Sequence, residues 1–207
     1  MASDRQASWR EIFQRIRWDL MDRYERRGWA YWLIWQLPGQ FGDLLRARYL
    51  APRMRSAGRD LRVMAGCRFR SLDRLVVGNN VNIGFDNFLQ AHGGLSLGNN
   101  VSTAPGVKIW SVNHDYGDLD TPVTEQGQTA KPVGIGDDVF IGSNAFIMPG
   151  VVLPARCIVS AGAVVGAKLY KPGSILAGNP ARVIGFRGVQ ANATESEAGV
   201  LESGKDS

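Results

Sequence analysis

This 207-residue chain has two histidines. His114 sits in Asn113-His114-Asp115-Tyr116, within a polar stretch, and His92 sits in Gln90-Ala91-His92-Gly93-Gly94. A neutral imidazole on an exposed loop is the usual general base for taking a proton from a hydroxyl near neutral pH. Two histidines cannot build a three-histidine zinc centre, and no cysteine cluster supplies the missing ligand. No metal is therefore implied. No glycine-rich loop of the P-loop or dinucleotide-binding kind occurs. No serine has a base partner nearby in sequence, and both cysteines are poorly placed as nucleophiles. The chemistry these residues suggest is proton abstraction from a hydroxyl by His114.

The elements that must position His114 are written in a repeat of six. Ile135, Ile141, Ile147, Leu153, Val159 and Val165 are aliphatic, and Val139, Ala145, Val151, Cys157, Ala163 and Leu169 follow each of them by four residues. Neither a helix nor an ordinary alternating strand has that period. A parallel β-helix does, with three short flat strands in a coil of about eighteen residues. The repeat also runs through Val77, Ile83 and Leu89 and then Leu97, Thr103 and Ile109. These two frames differ by 97 − 77 = 20 residues, a surplus the Gly93-Gly94 turn can absorb as a bulge. A larger excess falls at about 113–132 and must leave the prism as a loop. Polar loops on rigid scaffolds are where function concentrates. The fold class expected is mainly β: a parallel β-helix with an N-terminal helical segment and a protruding catalytic loop.

Charge and aromatics are unevenly spread. Residues 1–70 hold fifteen Arg against seven acidic residues, 15 − 7 = +8, and the remainder of the chain holds nine basic and twelve acidic, 9 − 12 = −3. Trp9, Trp18, Trp29, Trp32 and Trp35 lie in the basic part. Trp9, Ile12, Phe13, Ile16 and Leu20 recur at helical spacing. Trp29 to Leu37 is a second apolar stretch, and 42–56 a candidate third helix. This segment suits a helical cap on the coil, or a membrane-surface helix with Arg at anionic head groups and Trp at the interface. Nucleic acid is not an expected partner, because lysine is absent there and no nucleic-acid motif occurs. No apolar run is long enough to span a bilayer, and the charged start is unlike a secretory signal. Two cysteines make no disulfide framework and suit a reducing cytoplasm. The expected organisation is a basic, Trp-rich helical segment over 1–58, a β-helix over 59–187 and a disordered tail over 188–207.

At this point the residues carry a resemblance. Ile135-Gly136-Asp137-Asp138-Val139-Phe140-Ile141-Gly142-Ser143-Asn144 and Ala177-Gly178-Asn179-Pro180-Ala181-Arg182-Val183-Ile184 resemble the hexapeptide-repeat acyltransferases. The Asn113-His114-Asp115-Tyr116 and Gln90-Ala91-His92 elements resemble the branch that O-acetylates bacterial surface polysaccharides. The resemblance implies a left-handed parallel β-helix, a homotrimer with sites between subunits, and acetyl-CoA as co-substrate. It implies His114 as general base and Ser143 at the developing oxyanion. Gln90, His92, Asn113, Asp115 and Tyr116 would meet the acceptor, with Asp115 a candidate to orient His114. Phe140, Gly142, Ala161, Gly162, Lys168 and Arg182 would meet CoA. The family's usual Thr-Lys-Asp reads Ala167-Lys168-Leu169 here. The N-terminal segment differs from that of maltose and galactoside acetyltransferases, which favours an acceptor presented at the inner face of the cytoplasmic membrane, such as a lipid-linked glycan. The implied function is O-acetylation of a sugar in capsule, exopolysaccharide or lipopolysaccharide biosynthesis. The alternatives are N-acetylation of an amino-sugar nucleotide and a trimeric scaffold without chemistry.

Overall fold

The computed structural model describes residues 8–21 and 31–188. The expected tail from 189 onward and the stretch 22–30 lie outside the described residues. Three parallel sheets form the sides of a prism. The first face stacks Ser56–Ala57, Leu75–Val77, Leu95–Leu97, Val133–Ile135 and Val152–Leu153. The second stacks Arg62–Val63, Asn82–Ile83, Ser102–Thr103, Phe140–Ile141, Ile158–Val159 and Ser174–Ala177, closed by the antiparallel strand Arg182–Phe186. The third stacks Arg68–Arg70, Phe88–Gln90, Lys108–Trp110, Phe146–Ile147 and Val164–Val165.

Each aliphatic of the six-residue repeat points inward. Ile135, Ile141, Ile147, Leu153, Val159 and Val165 are all buried, as are Val77, Ile83, Leu89, Leu97, Thr103 and Ile109. Thr103 is tolerated in this core because its hydroxyl is satisfied: Gly84 N–H and Asn87 Nδ2 both donate to it. Leu169 is the exception. It is fully exposed, because no strand of the first face follows Val165 and the chain runs as a loop to Ser174.

The corners explain the rest of the composition. Between the first and second faces, Asp60, Asn80, Asn100, Asp138 and Arg156 all have positive φ. Between the second and third faces the same role falls to Gly66, Asp86, Gly106, Asn144 and Gly162. Gly, Asn and Asp enter this left-handed region most readily. At the first corner the Asn side chains also form a ladder. Asn79 N–H donates to Asn99 Oδ1 at 2.9 Å, and Asn99 N–H to Asp137 Oδ1 at 2.7 Å. Gly78 precedes this ladder for a steric reason. A Cβ there would lie 2.6 Å from Gly98 O and 2.7 Å from its carbonyl carbon.

The third corner, from the third face back to the first, is where the chain is longer. Leu72–Arg74 form a 3-10 turn there, Ala91 to Gly94 form the expected bulge, and residues 111–132 leave as the loop. The twenty-residue offset between the early coils, seen in Arg62↔Asn82 and Asn82↔Ser102, therefore arises twice at one corner. The first coil, Ser56 to Arg70, precedes the frames visible in the sequence. Its outward positions are Arg62, Arg68 and Arg70, and these charges hide the repeat.

The N-terminal end of the prism is covered. Helix α1 spans Trp9–Met21, residues 31–35 are helical, and helix α2 spans Gly39–Leu50, earlier than the expected 42–56 because Ala51–Arg53 tighten into a 3-10 turn and Ser56 begins the first strand. Ala47, Leu50 and Met54 join Leu61, Val63 and Cys67 in one core. Arg46 is wholly buried, and each of its three guanidinium nitrogens donates a hydrogen bond. Its Nε donates to Val63 O, its Nη1 to the carbonyls of Ile34, Trp35 and Leu37, and its Nη2 to Asp43 at 2.7 Å. It thus ties the end of the 31–35 helix to the first coil. The cap reading holds for 31–54.

Gly78→Ala should lower unfolding stability by about 1–3 kcal/mol, since the neighbouring coil's backbone must move. Urea denaturation of the full chain checks this. An unchanged midpoint would mean the coils stack less tightly than described.

Candidate functional site

The loop at the third corner is built on a hairpin. Val112–His114 pairs antiparallel with Gln128–Ala130, placing His114 opposite Gln128. Gln128 Nε2 lies 3.2 Å from His114 Nε2. His114 is exposed and is held by this amide, leaving Nδ1 as the ring nitrogen to which no partner is assigned among the described residues. Asp115 does not orient His114: its Oδ1 accepts the Thr129 hydroxyl at 2.6 Å, across the hairpin. The tip of the loop is ordered by its own polar groups. Asp118 accepts from the Thr121 hydroxyl and the Asp120 N–H, which hold its carboxyl below the usual range. Gln126 Nε2 donates to the carbonyls of Asp118 and Thr121. Asn113 and Tyr116 are exposed beside His114.

His92 shares this corner. Its N–H donates to Gln90 Oε1 at 3.0 Å, and Arg74 Nη1 donates to its carbonyl at 2.5 Å. Ser111, buried at the root of the hairpin, donates its hydroxyl to Gln90 O and accepts the Gly93 N–H. One small hydroxyl therefore fastens the His92 turn to the start of the His114 hairpin. Gln90, His92, Asn113, His114 and Tyr116 are brought together on one corner.

The residues expected to meet CoA lie elsewhere. Ser143, Gly142, Ala161 and Gly162 are at the second corner, and Phe140 stands outward on the second face, 44% exposed. The whole width of the third face separates this group from His114 in one chain. Gly142 is buried, and a Cβ there would lie 2.6 Å from Ala161 N, so coil stacking already requires this glycine. Ala161 and Gly162 are different. Both are exposed, and a Cβ on Gly162 would meet open space. Lys168 and Arg182 are exposed, and among the described residues neither has a carboxylate within ion-pair distance. Ala161 and Gly162 precede the last strand of the third face, Val164–Val165, whereas Lys168 follows it, so this cation stands across that face from the open small-residue corner.

Sequence reasoning missed Gln128, which is fourteen residues from His114 and meets it only because the hairpin closes. It also missed the third face. Phe88, Trp110 and Phe146 project outward there, with ring centroids 5.9 Å apart for Phe88 and Trp110 and 5.5 Å for Trp110 and Phe146. The alternation around buried Leu89 and Ile109 was the available signal.

Residues 132–167 match the family model described as the hexapeptide repeat of succinyl-transferase. Galactoside O-acetyltransferase of Escherichia coli is 33% identical over 91 residues, covering 44% of this chain and 43% of that protein. A Staphylococcus aureus 2,3,4,5-tetrahydropyridine-2,6-dicarboxylate N-acetyltransferase is 48% identical over 56 residues, 27% of this chain and 23% of that protein. The solved galactoside acetyltransferase in complex with coenzyme A shares the fold, with a TM-score of 0.67 at 22% identity over 78% of each chain. The shared coil is the left-handed parallel β-helix. The chain spans about half the length of the curated relatives it matches. By repeat, relatives and fold, the chain is similar to the hexapeptide-repeat acyltransferases.

Both cysteines are buried core fillers. The Cys67 thiol donates to Gly84 O, and burial pushes it up to about 12. Burial also raises the Cys157 thiol. A raised thiol stays protonated through neutral pH, and a thiol is not the nucleophile. Neither cysteine should react with iodoacetamide at pH 8 in the folded protein, and both should react in urea. Rapid labelling of native Cys67 would show that the first coil opens.

Proposed function

We propose that this chain is an acetyl-CoA-dependent O-acetyltransferase acting on a sugar hydroxyl. The observation that carries the reading is the His114 hairpin: an exposed imidazole, braced by Gln128, fastened through Ser111 to the Gln90–His92 turn. The acyl donor supplies an activated carbonyl carbon and a thiolate leaving group. His114 takes the proton of the acceptor hydroxyl as its oxygen bonds to the acyl carbon and the carbon–sulfur bond breaks. The same proton then passes to the departing sulfur. Ser143 donates to the carbonyl oxygen as charge develops there. Gln128 is a positioning residue, since it reaches the reaction only through His114.

The split of the candidate residues between two corners supports a homotrimer. His114 of one copy would face the Ser143, Ala161 and Gly162 corner of the next. The acceptor we favour belongs to a surface polysaccharide or its lipid-linked precursor, met on the cytoplasmic side. N-acetylation of an amino-sugar nucleotide is the second reading, since the same base serves an amine equally well.

His114→Ala should lower acyl transfer about 10²–10⁴-fold while acetyl-CoA binding is retained. Free-thiol release with an acceptor panel, paired with calorimetric acetyl-CoA binding, checks this. Equal release by both proteins would remove His114 as the base.

Helix α1 favours placement at a membrane surface. Trp9 and Phe13 are 75% and 66% exposed, Ile16 lies on the same face, and Arg10, Arg15 and Arg17 are exposed around it. No helix among the described residues is long and apolar enough to cross a membrane. The full chain should therefore float with phosphatidylglycerol vesicles and not with phosphatidylcholine ones. The pair Trp9→Ser and Phe13→Ser should abolish flotation. A wild type that leaves anionic vesicles unbound would sink this placement.

A further inference from the structure

The third face lies between the two halves of the candidate site, and its outward side chains form two columns. Arg68, Phe88, Lys108 and Phe146 are register partners in one. Arg70, Gln90 and Trp110 are partners in the other. Successive strands in such a column lie about 4.8 Å apart. The second column ends where the chain turns through Ser111 into the His114 hairpin, so its side chains border the His92 and His114 corner. Phe88 and Trp110 are half-buried, whereas Arg68, Arg70 and Lys108 are exposed.

The arginines are held but not paired. The Arg70 guanidinium carbon sits 6.0 Å from the Phe88 ring centroid, and that of Arg68 sits 5.4 Å from the Trp35 ring centroid. Among the described residues no carboxylate lies within ion-pair distance of either. The carboxylate nearest His114 in sequence, Asp115, is engaged by Thr129. An arginine resting on a ring loses little freedom when its planar fork meets a carboxylate or phosphate. Flat aromatic rings beside it offer an apolar surface to the C–H face of a pyranose.

We propose that this face is the acceptor's recognition surface, and that Arg70, assisted by Arg68 and Lys108, selects a sugar bearing an anionic group, carboxylate or phosphate, while Phe88 and Trp110 pack its ring. The inference rests on the acyl-transfer reading for the identity of the corner, and supplies the substrate class that reading leaves open. Arg70 is a specificity residue: it touches the acceptor's charge and takes no part in the proton transfer.

Glucose, glucuronate and glucose 1-phosphate test it, since they share a ring and differ in charge. Binding to the full-length protein is followed by saturation-transfer NMR at low salt, and transfer by thiol release from acetyl-CoA. The wild type should favour at least one charged probe over glucose, and which one it favours names the anion. Arg70→Gln should reduce that preference about tenfold or more, the worth of a charge-assisted hydrogen bond, and Arg70→Lys should keep part of it. Melting temperature and acetyl-CoA affinity should not change in either variant. Equal handling of all three probes by the wild type overturns the proposal, as does an intact preference in Arg70→Gln. Arg70-dependent binding of a charged probe without any thiol release would uphold the anionic subsite while removing acyl transfer.

Discussion

Everything in this molecule depends on stacking one coil's backbone directly on the next. Parallel strands meet about 4.8 Å apart, and at the corners no side chain can intervene. The constraint acts on sequence in three ways. Corner residues must accept left-handed φ, which selects Asn, Asp and Gly at positions such as Asn80, Asn100 and Gly106. The residue two positions before them must lack a Cβ where the next backbone presses in, as at Gly78 and Gly142. One aliphatic per six residues must fill the interior, each contributing roughly 1.5–3 kcal/mol on full burial. A prism made this way is rigid and nearly featureless. Specific chemistry has to be added where the chain can depart without breaking the stack.

Here every such departure in the middle of the coil uses the third corner. The turns at 71–74 and 91–94 and the hairpin from 111 emerge there. Insertions at one corner stack, so they can bond to each other. Ser111 and Arg74 do so, joining three coils' worth of loop into one surface. That is how an exposed histidine on a long loop acquires a fixed position. The same rule keeps Ser143 and Gly162 far from it, because they belong to a corner with no insertion.

The six-residue period was legible because it follows from backbone geometry, and each hexad reports it with one aliphatic. Where charge occupied the outward positions, as at Arg62, Arg68 and Arg70, the first coil was hidden. Leu169 fitted the pattern and yet lies outside the prism, because a repeat cannot announce the coil at which it stops. The role of Arg46 had no signature at all: an arginine bonded to four carbonyls and a carboxylate is defined by where three separate segments end. His114 was legible by type and by its loop. Its partner was not, since adjacency suggested Asp115 and antiparallel pairing gave Gln128.

The arginine-rich start of the chain then divides by environment rather than by charge. Arg46 is buried and structural, and its loss would take their donor from the carbonyls of Ile34, Trp35, Leu37 and Val63. Arg68 and Arg70 lie on the prism wall with their forks open. Arg10, Arg15 and Arg17 surround an apolar stripe on α1 that the described coil does not cover. One compositional feature therefore serves three physical ends: closing the core, presenting a cationic wall beside the histidine corner, and edging an amphipathic helix. The three differ in desolvation. A guanidinium is tolerated in the core only when every donor is met, whereas on a surface its unmet donors are what make it available to an anion.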